Sequence, residues 1–407
     1  MTSPEHVVIV GGSLAGLRAA EAARAQGFGG RLTLIGQEIH LPYDRPPLSK
    51  EFILGDGPVQ TPYFDGVQTL AETLDMTVLL GEPATALNVD DQTVTVGQNQ
   101  ISYDAALLAT GSTARRLAGS ERLAGVETLR SLDEAARIGE ALRAGGRVVV
   151  IGGGFIGSEV ASAARARGLP VTIVEAAPIP LVRAVGELAG TWLANLHHRN
   201  GTELLCGTAV ASLSGDDGRI ESVQLADGRS LPADLVVAGI GADPATDWLA
   251  SSAVVTDNGI VCDSTLRAGK NVWAAGDVTR WWSEDFNRPL RIEHWTNAAE
   301  QGACAMRNLL DPANATAYRH IPYFWSDWYG NRIQLVGLPI DDPTVVTGSA
   351  DSDRFVALYR ERDRLVGALA LNKRSDIMKY RALIARGATW EDGLALAEQR
   401  NRRVVKT

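Results

Sequence analysis

The sequence predicts an α/β protein in which one strand–turn–helix plan is used twice and is followed by a smaller α+β region. Three observations carry this reading. Two glycine-rich runs, Gly11-Gly12-Ser13-Leu14-Ala15-Gly16 and Gly152-Gly153-Gly154-Phe155-Ile156-Gly157, each follow a short apolar run, Val7–Val10 and Val148–Ile151. Each opens into an alanine-rich stretch with helical character. Each half then closes on another apolar run that ends at a glycine, Gly111 and Gly241. A strand, a tight glycine turn and a helix in that order let backbone approach a pyrophosphate at a helix N-terminus, the Rossmann-like arrangement. Two such turns in one chain predict two dinucleotides, and the simplest chemistry for two dinucleotides is electron transfer between them.

The elements follow in order. In the first half, Val7–Val10 reads as a strand, Leu14–Gln26 as a helix stopped by the Gly27–Gly30 run, and Arg31–Ile35 as the second strand. Thr93–Val96 and Ile101–Tyr103 fit a hairpin, and Ala105–Thr110 a buried strand. Ser112 to Glu127 is polar and rich in turn residues, and reads as a linker. The plan then restarts: Arg147–Ile151 as strand, Ile156–Arg167 as helix, Val171–Val174 as strand. Leu204–Leu213 and Ile220–Leu225 read as a hairpin region, and Leu235–Ile240 as the closing strand. This is a repeat on the scale of a domain. Beyond it lie the apolar run Val272–Ala275 with Gly276-Asp277, and a region rich in Trp and Tyr with alternating strands at Arg332–Val336 and Phe355–Tyr359.

Composition bounds the function. A chain of 407 residues exceeds one ordinary core. Its 45% hydrophobic and 21% charged content is that of a globular protein in water. With a strand expected from Val7, no signal peptide is expected, and no apolar run nears the ~20 residues of a membrane span. Cys206, Cys262 and Cys304 form neither a CxxC nor a CxxxxC pair, so reduced thiols in a cytoplasmic protein without a metal site are expected. Net charge is −9, yet residues 321–407 hold 14 Lys/Arg against 11 Asp/Glu. That balance argues against nucleic acid as a partner of the whole chain and leaves room for a basic face that meets an acidic protein.

The second glycine run has all three glycines in place. Gly152, Gly154, Phe155, Ile156 and Gly157, with Gly241 on the closing strand, are the candidate nucleotide contacts. Glu175 follows the next strand, where a carboxylate accepts bonds from an adenosine ribose and repels a 2′-phosphate. The following Ala176-Ala177-Pro178 offers no arginine to a 2′-phosphate, so NADH is the expected nucleotide. In the first run Ser13 replaces the middle glycine, and the acid, Glu38, comes later than the usual place. Gly11, Ser13, Leu14, Ala15 and Gly16 are its candidate contacts.

Several further segments resemble one family. The run Leu41-Pro42-Tyr43-Asp44-Arg45-Pro46-Pro47-Leu48-Ser49-Lys50 is similar to the signature of FAD-dependent ferredoxin reductases that serve bacterial oxygenases, members of the glutathione-reductase-like flavoproteins. Ala109-Thr110-Gly111, Val272–Asp277, Glu293–Gly302 and Pro322–Asp327 extend the resemblance, in order, over nearly the whole chain. The resemblance implies a discontinuous FAD domain of residues 1–115 and 243–320, a NAD domain of residues 116–242, and a C-terminal α+β domain of residues 321–407.

It also implies roles. Asp277 is similar to the aspartate that bonds the FAD ribityl chain, and Thr110 and Gly111 belong to the same site. Arg45 and Lys50 would lie along the flavin, with Lys50 near its reactive edge. Glu159, placed in the first turn of the second nucleotide helix, would face Lys50 across the nicotinamide pocket. Trp295, ahead of a helix over Asn297–Arg307, would bring a positive helix end to the pyrimidine side of the flavin. Lys50, Glu159 and Trp295 are therefore the candidate catalytic residues. Trp325 would approach from the C-terminal domain, where Trp328 departs from the glutamine more usual in the family.

Relatives that reduce disulfides or peroxides need a cysteine near the first unit, and Pro46 to Leu54 holds none. The expected activity is hydride transfer from NADH to FAD followed by single electrons to an iron–sulfur ferredoxin, [2Fe-2S] or other, of a cytochrome P450 or Rieske system. The chain would act as a monomer or homodimer. A rubredoxin reductase or a reductase of quinone or monodehydroascorbate would share nearly all these residues. An interaction protein like the apoptosis-inducing factors is disfavoured by the net charge of −9. With Glu175 at the ribose, kcat/KM for NADH should exceed that for NADPH by at least about tenfold; equal values would overturn the assignment.

Overall fold

A computed structural model describes residues 4–56 and 60–404. Contacts divide the chain into two compact units. One comprises the residues up to Asp44, Pro62–Thr113 and Asp243–His320; the other comprises Arg45–Thr61, Ala114–Ala242 and the chain from Ile321.

The first unit is built on a six-stranded sheet. Its order is Arg267–Gly269, Val272–Ala274, Ala105–Leu108, His6–Val10, Arg31–Gly36, Met76–Leu80, with all but the first strand parallel to its neighbour. Val7, Val8 and Ile9 are fully buried, as a strand covered on both faces requires. His6–Val10 sits where the connections reverse, with Arg31–Gly36 on one side and Ala105–Leu108 on the other. Gly11, Ala109-Thr110-Gly111 and Gly276-Asp277 thereby follow the carboxyl ends of three adjacent strands, the position at which open α/β sheets bind ligands.

Two helices lie against this unit's sheet, Leu14–Ala25 and Trp295–Leu310. They touch backbone to backbone, because a Cβ on Gly302 would stand 2.2 Å from the carbonyl oxygen of Ala15. The hairpin expected after the second strand is present as Thr93–Val96 paired antiparallel with Asn99–Ser102.

The second unit repeats the plan with a five-stranded parallel sheet, in the order Glu203–Cys206, Val171–Glu175, Val148–Ile151, Leu235–Ala238, Val126–Thr128. Its fingerprint helix is Phe155–Ala166. From Tyr323 the chain forms an antiparallel five-stranded sheet backed by Arg374–Ala385 and Trp390–Val404. Strands at Asn331–Gly337 and Phe355–Glu361 cover the alternating segments seen in the sequence.

Two expectations need correction. The stretch expected as a linker ends inside a strand, Val126–Thr128, that pairs with Leu235–Ala238 at the sheet edge. A helix over Leu132–Ala144 follows it, announced by a capping box in which Ser131 and Glu134 bond each other's backbone N–H. Leu204–Leu213 is divided as well: Glu203–Cys206 is a parallel strand of the nucleotide sheet, and only Val210–Asp216 forms the hairpin with Arg219–Leu225.

The Ala15–Gly302 contact can be tested directly. Gly302→Ala should lower stability by about 1–3 kcal/mol by forcing the two helices apart. Gly29→Ala, where an added Cβ meets nothing within 4 Å, should cost under about 0.5 kcal/mol. Urea midpoints of the two variants decide it.

Candidate functional site

In the first unit the glycine turn is shaped by close backbone approach. Gly11 has φ +131°, and a Cβ there would meet the Ala109 carbonyl oxygen at 2.1 Å. A Cβ on Gly16 would meet the Gly11 oxygen at 2.0 Å. The helix starts at Leu14, with Ser13 as an extended N-cap, no acid in the first turn, and Leu14 and Ala15 buried. Its first N–H groups therefore face the turn without a competing carboxylate, which fits a diphosphate.

Around that turn, Thr110 Oγ1 donates to the Ala245 carbonyl at 2.9 Å, and Gly111 adopts φ +71°. Asp277 accepts from Ser112 Oγ at 3.4 Å. Gln301, fully buried on the Trp295–Leu310 helix, accepts the Gly276 N–H at 2.8 Å and so holds the turn that carries Asp277. Nothing in the motif announced Gln301, although it lies within the quoted Glu293–Gly302 run. Glu38 accepts from the Tyr43 hydroxyl at 2.5 Å. Trp295 is the first residue of its helix rather than a residue ahead of it, and its indole N–H donates to Asp44 at 2.6 Å. His294, the N-cap of that helix, is lowered to about 4, mainly by burial and against the opposing pull of Asp277.

The second unit holds the other turn. Gly152 has φ +100°, and a Cβ there would meet the Gly239 oxygen at 2.3 Å; one on Gly157 would meet the Gly152 oxygen at 2.3 Å. At Gly154, by contrast, the nearest atom to an added Cβ is 3.9 Å away. Packing within the chain thus demands glycine at the outer two positions only, which explains why Ser13 is tolerated at the middle of the first turn. Glu175 accepts the Gly153 N–H and the Ala177 N–H, both at 2.8 Å, and this fixes it beside the turn. Gly241 has φ +101°, and its carbonyl accepts the Arg115 N–H at 3.0 Å. Phe155 packs on Phe324, with ring centroids 4.2 Å apart, whereas Ile156 is 45% exposed.

The loop expected along the flavin packs in this second unit. Arg45 donates to the Arg130 carbonyl at 2.5 Å and precedes the short helical turn Pro46–Ser49. Lys50 Nζ lies 2.9 Å from Glu159 Oε1. Glu159 occupies the second turn of its helix, one turn later than expected, and is 6% exposed. Its carboxylate also accepts from the Ser49 hydroxyl, the Ser326 hydroxyl at 2.5 Å and the Asp327 N–H at 3.2 Å. A cavity of about 620 Å³ opens on the pair and runs along the Ser162–Ala166 face of the helix to Asn200 and Tyr329. Ser49, Ser326 and Asp327 are site residues that sequence reasoning named only as parts of motifs. Trp325, half-buried, stacks on Tyr323 with centroids 5.9 Å apart.

Next to Glu159, Ser158 lies 3.2 Å from Nε2 of the fully buried His197. His197 Nδ1 is 2.8 Å from the Tyr329 hydroxyl, and its ring stacks on Trp328. Tyr329 and Gly330, both at positive φ, form the two-residue hairpin turn that delivers these groups.

None of the thiols is disposed to react. Burial raises Cys262 and Cys304, and Cys206, half-buried, is raised by burial and by Glu175. Among the described residues no cluster of His, Cys, Asp and Glu could hold a metal ion, and no helix is long and apolar enough to cross a membrane.

The chain is similar to known proteins over nearly its whole length. Residues 5–302 match the pyridine nucleotide-disulphide oxidoreductase family, and residues 323–401 match the reductase C-terminal family. The chain is similar to rhodocoxin reductase of Rhodococcus erythropolis, 36% identical over 391 residues that cover 93% of this chain and 89% of the relative. It is 38% identical over 392 residues to the ferredoxin reductase component of chlorobenzene dioxygenase from Cupriavidus sp. (strain PS12), covering 94% and 93%. Among solved structures, the covalent putidaredoxin reductase–putidaredoxin complex matches with a TM-score of 0.89 at 32% identity, covering 95% of this chain and 94% of that one.

Burial lowers His197 to about 4, with His198 adding to the effect. Its folded value lies below its usual 6.5, so the unfolded chain binds the extra proton as pH falls from 6.5 toward 4, and stability is lost over that window. The loss due to His197 should reach about 3 kcal/mol at the acid end of the window. Urea unfolding from pH 7 to pH 4 should show a shallower pH slope for His197→Gln than for the parent; parallel slopes would refute the assignment.

Proposed function

The chain belongs to the pyridine nucleotide-disulphide oxidoreductase family, and we propose that it is an NADH-dependent ferredoxin reductase that holds FAD and supplies an iron–sulfur ferredoxin of a cytochrome P450 or Rieske oxygenase system. The observation that carries this reading is the absence of a usable thiol relay. The loop Pro46 to Leu54 contains no cysteine, and the three cysteines present are buried or half-buried with raised thiols. Disulfide chemistry is therefore closed to a chain that otherwise carries two dinucleotide turns.

FAD, when bound, supplies the conversion of a two-electron hydride into single electrons. The rest is done by the chain. Gly11–Gly16 receives the FAD diphosphate at the N-terminus of Leu14–Ala25, with Thr110, Gly111 and Asp277 beside it on the same sheet edge. Asp277, an acceptor-only group, suits the hydroxyls of a ribityl chain. Arg45 and Trp295 complete the assignment of flavin contacts. Gly152–Gly157 receives NADH, and Glu175, already oriented by two N–H groups, takes the adenosine ribose. Lys50 and Glu159 line the nicotinamide pocket, a cation neutralised in place by a buried carboxylate. We assign residues 1–115 with 243–320 to FAD, 116–242 to NAD, and 321–407 to carrier docking.

The reading extends to a cytoplasmic enzyme, monomeric or homodimeric, whose excess of basic residues in 321–407 receives an acidic ferredoxin. With a [2Fe-2S] ferredoxin of an oxygenase system as probe, NADH-dependent cytochrome c reduction should require the ferredoxin. It should fall at least about fivefold between low salt and 0.5 M NaCl, as docking charges are screened. An undiminished rate without ferredoxin would overturn the function, and a salt-insensitive rate would overturn the acidic partner.

A further inference from the structure

The Lys50–Glu159 pair is governed by a third group. Glu159 Oε1 is shared by three donors: Lys50 Nζ at 2.9 Å, the Ser326 hydroxyl at 2.5 Å and the Asp327 N–H at 3.2 Å. Ser326 is fully buried, and its oxygen receives the Trp328 indole N–H at 2.8 Å. An indole N–H can only donate, so it occupies a lone pair of Ser326 and leaves the hydroxyl hydrogen for the carboxylate. Trp328 is itself immobilised, 1% exposed, between Phe155 and the stacked ring of His197. The hydrogen bonds therefore run one way, from Trp328 through Ser326 to Glu159.

We propose that Ser326, aimed by Trp328, is a positioning residue that ties the Glu159 carboxylate to the Tyr323–Trp328 strand and limits how much of its charge is given to Lys50. Without the hydroxyl, Oε1 retains only Lys50 and one long backbone bond, and the carboxylate moves to the lysine. The Ser49 bond to Oε2 holds the other oxygen and does not replace Ser326. The catalytic part of this inference rests on the reductase reading; the geometric part does not.

Two readouts test it on the FAD-loaded full chain. The first is the rate at which an acetylating succinimidyl ester modifies Lys50, measured by mass spectrometry. The cavity beside the pair gives the reagent access, and exposed Lys270 and Lys379 serve as references. The second is the kcat and KM for NADH. Ser326→Ala should slow Lys50 acetylation by about threefold, because the lysine is gripped harder, and lower kcat by about tenfold with KM within about twofold. Ser326→Thr, which keeps the hydroxyl, should restore both. Glu159→Gln should speed acetylation, and adding Ser326→Ala to it should change neither readout further.

A merely structural loosening would make Lys50 more reactive in Ser326→Ala, and that result overturns the inference, as does an additive effect in the double variant. If Ser326→Ala does not retain FAD, Trp328→Phe takes its place with the same signs; unchanged acetylation there is equally fatal. A parent enzyme inert to NADH would sink the reductase reading while leaving the acetylation cycle to judge Ser326.

Discussion

In both units the backbone of a glycine turn touches the backbone of a neighbouring strand, and the other candidate nucleotide contacts of that unit are arranged around it. Gly11 lies against Ala109 and Gly152 against Gly239 so closely that an added Cβ would fall 2.1 and 2.3 Å from a carbonyl oxygen. The closeness sets the helix start directly over the strand ends, where N–H groups without intrahelical partners collect. It also requires positive φ at the first glycine, which side chains resist. The middle position has no such duty within the chain. Ser13 and Gly154 can therefore differ while the two turns keep one shape.

Glu159 imposes a second constraint, electrostatic rather than steric. A carboxylate that is 6% exposed is costly unless it is paired and hydrogen-bonded. Here a lysine, two hydroxyls and a backbone N–H satisfy it. Those donors come from two separated stretches, Ser49-Lys50 and the Tyr323–Trp328 strand, and meet a carboxylate carried by the Phe155–Ala166 helix. One buried charge thus fixes the registry of three segments, and it does so beside a complete dinucleotide turn. His197 performs the neutral counterpart a few ångströms on, tying Ser158 to Tyr329 through a ring that burial keeps uncharged.

The thiols show how a family scaffold is turned to a different electron outlet. A relay cysteine needs exposure and a lowered thiol; Cys262 and Cys304 are buried, Cys206 is half-buried, and all three thiols are raised. Cys206 pairs in register with Glu175 across the sheet, so the carboxylate that suits a ribose also disfavours a thiolate there. Chemistry at the flavin is left to groups that hold charge and position.

By itself the sequence determined what local pattern can encode. Glycines before alanine-rich helices marked both turns, apolar runs marked the buried strands, and Glu175 stood where a strand end puts a ribose acceptor. The family motifs added Arg45, Lys50, Asp277 and Trp295. Only the tertiary structure decided which of these share a unit. The resemblance already set Glu159 facing Lys50; what the fold adds is that the two, 109 positions apart, meet directly as an ion pair, because a buried carboxylate must be met by donors the fold can bring. Ser326, Gln301 and His197 carry no local signature, since a serine, a glutamine or a histidine reads the same on a surface as in a core. Their roles follow from burial and from the direction of each hydrogen bond, which long-range packing sets and sequence spacing does not record.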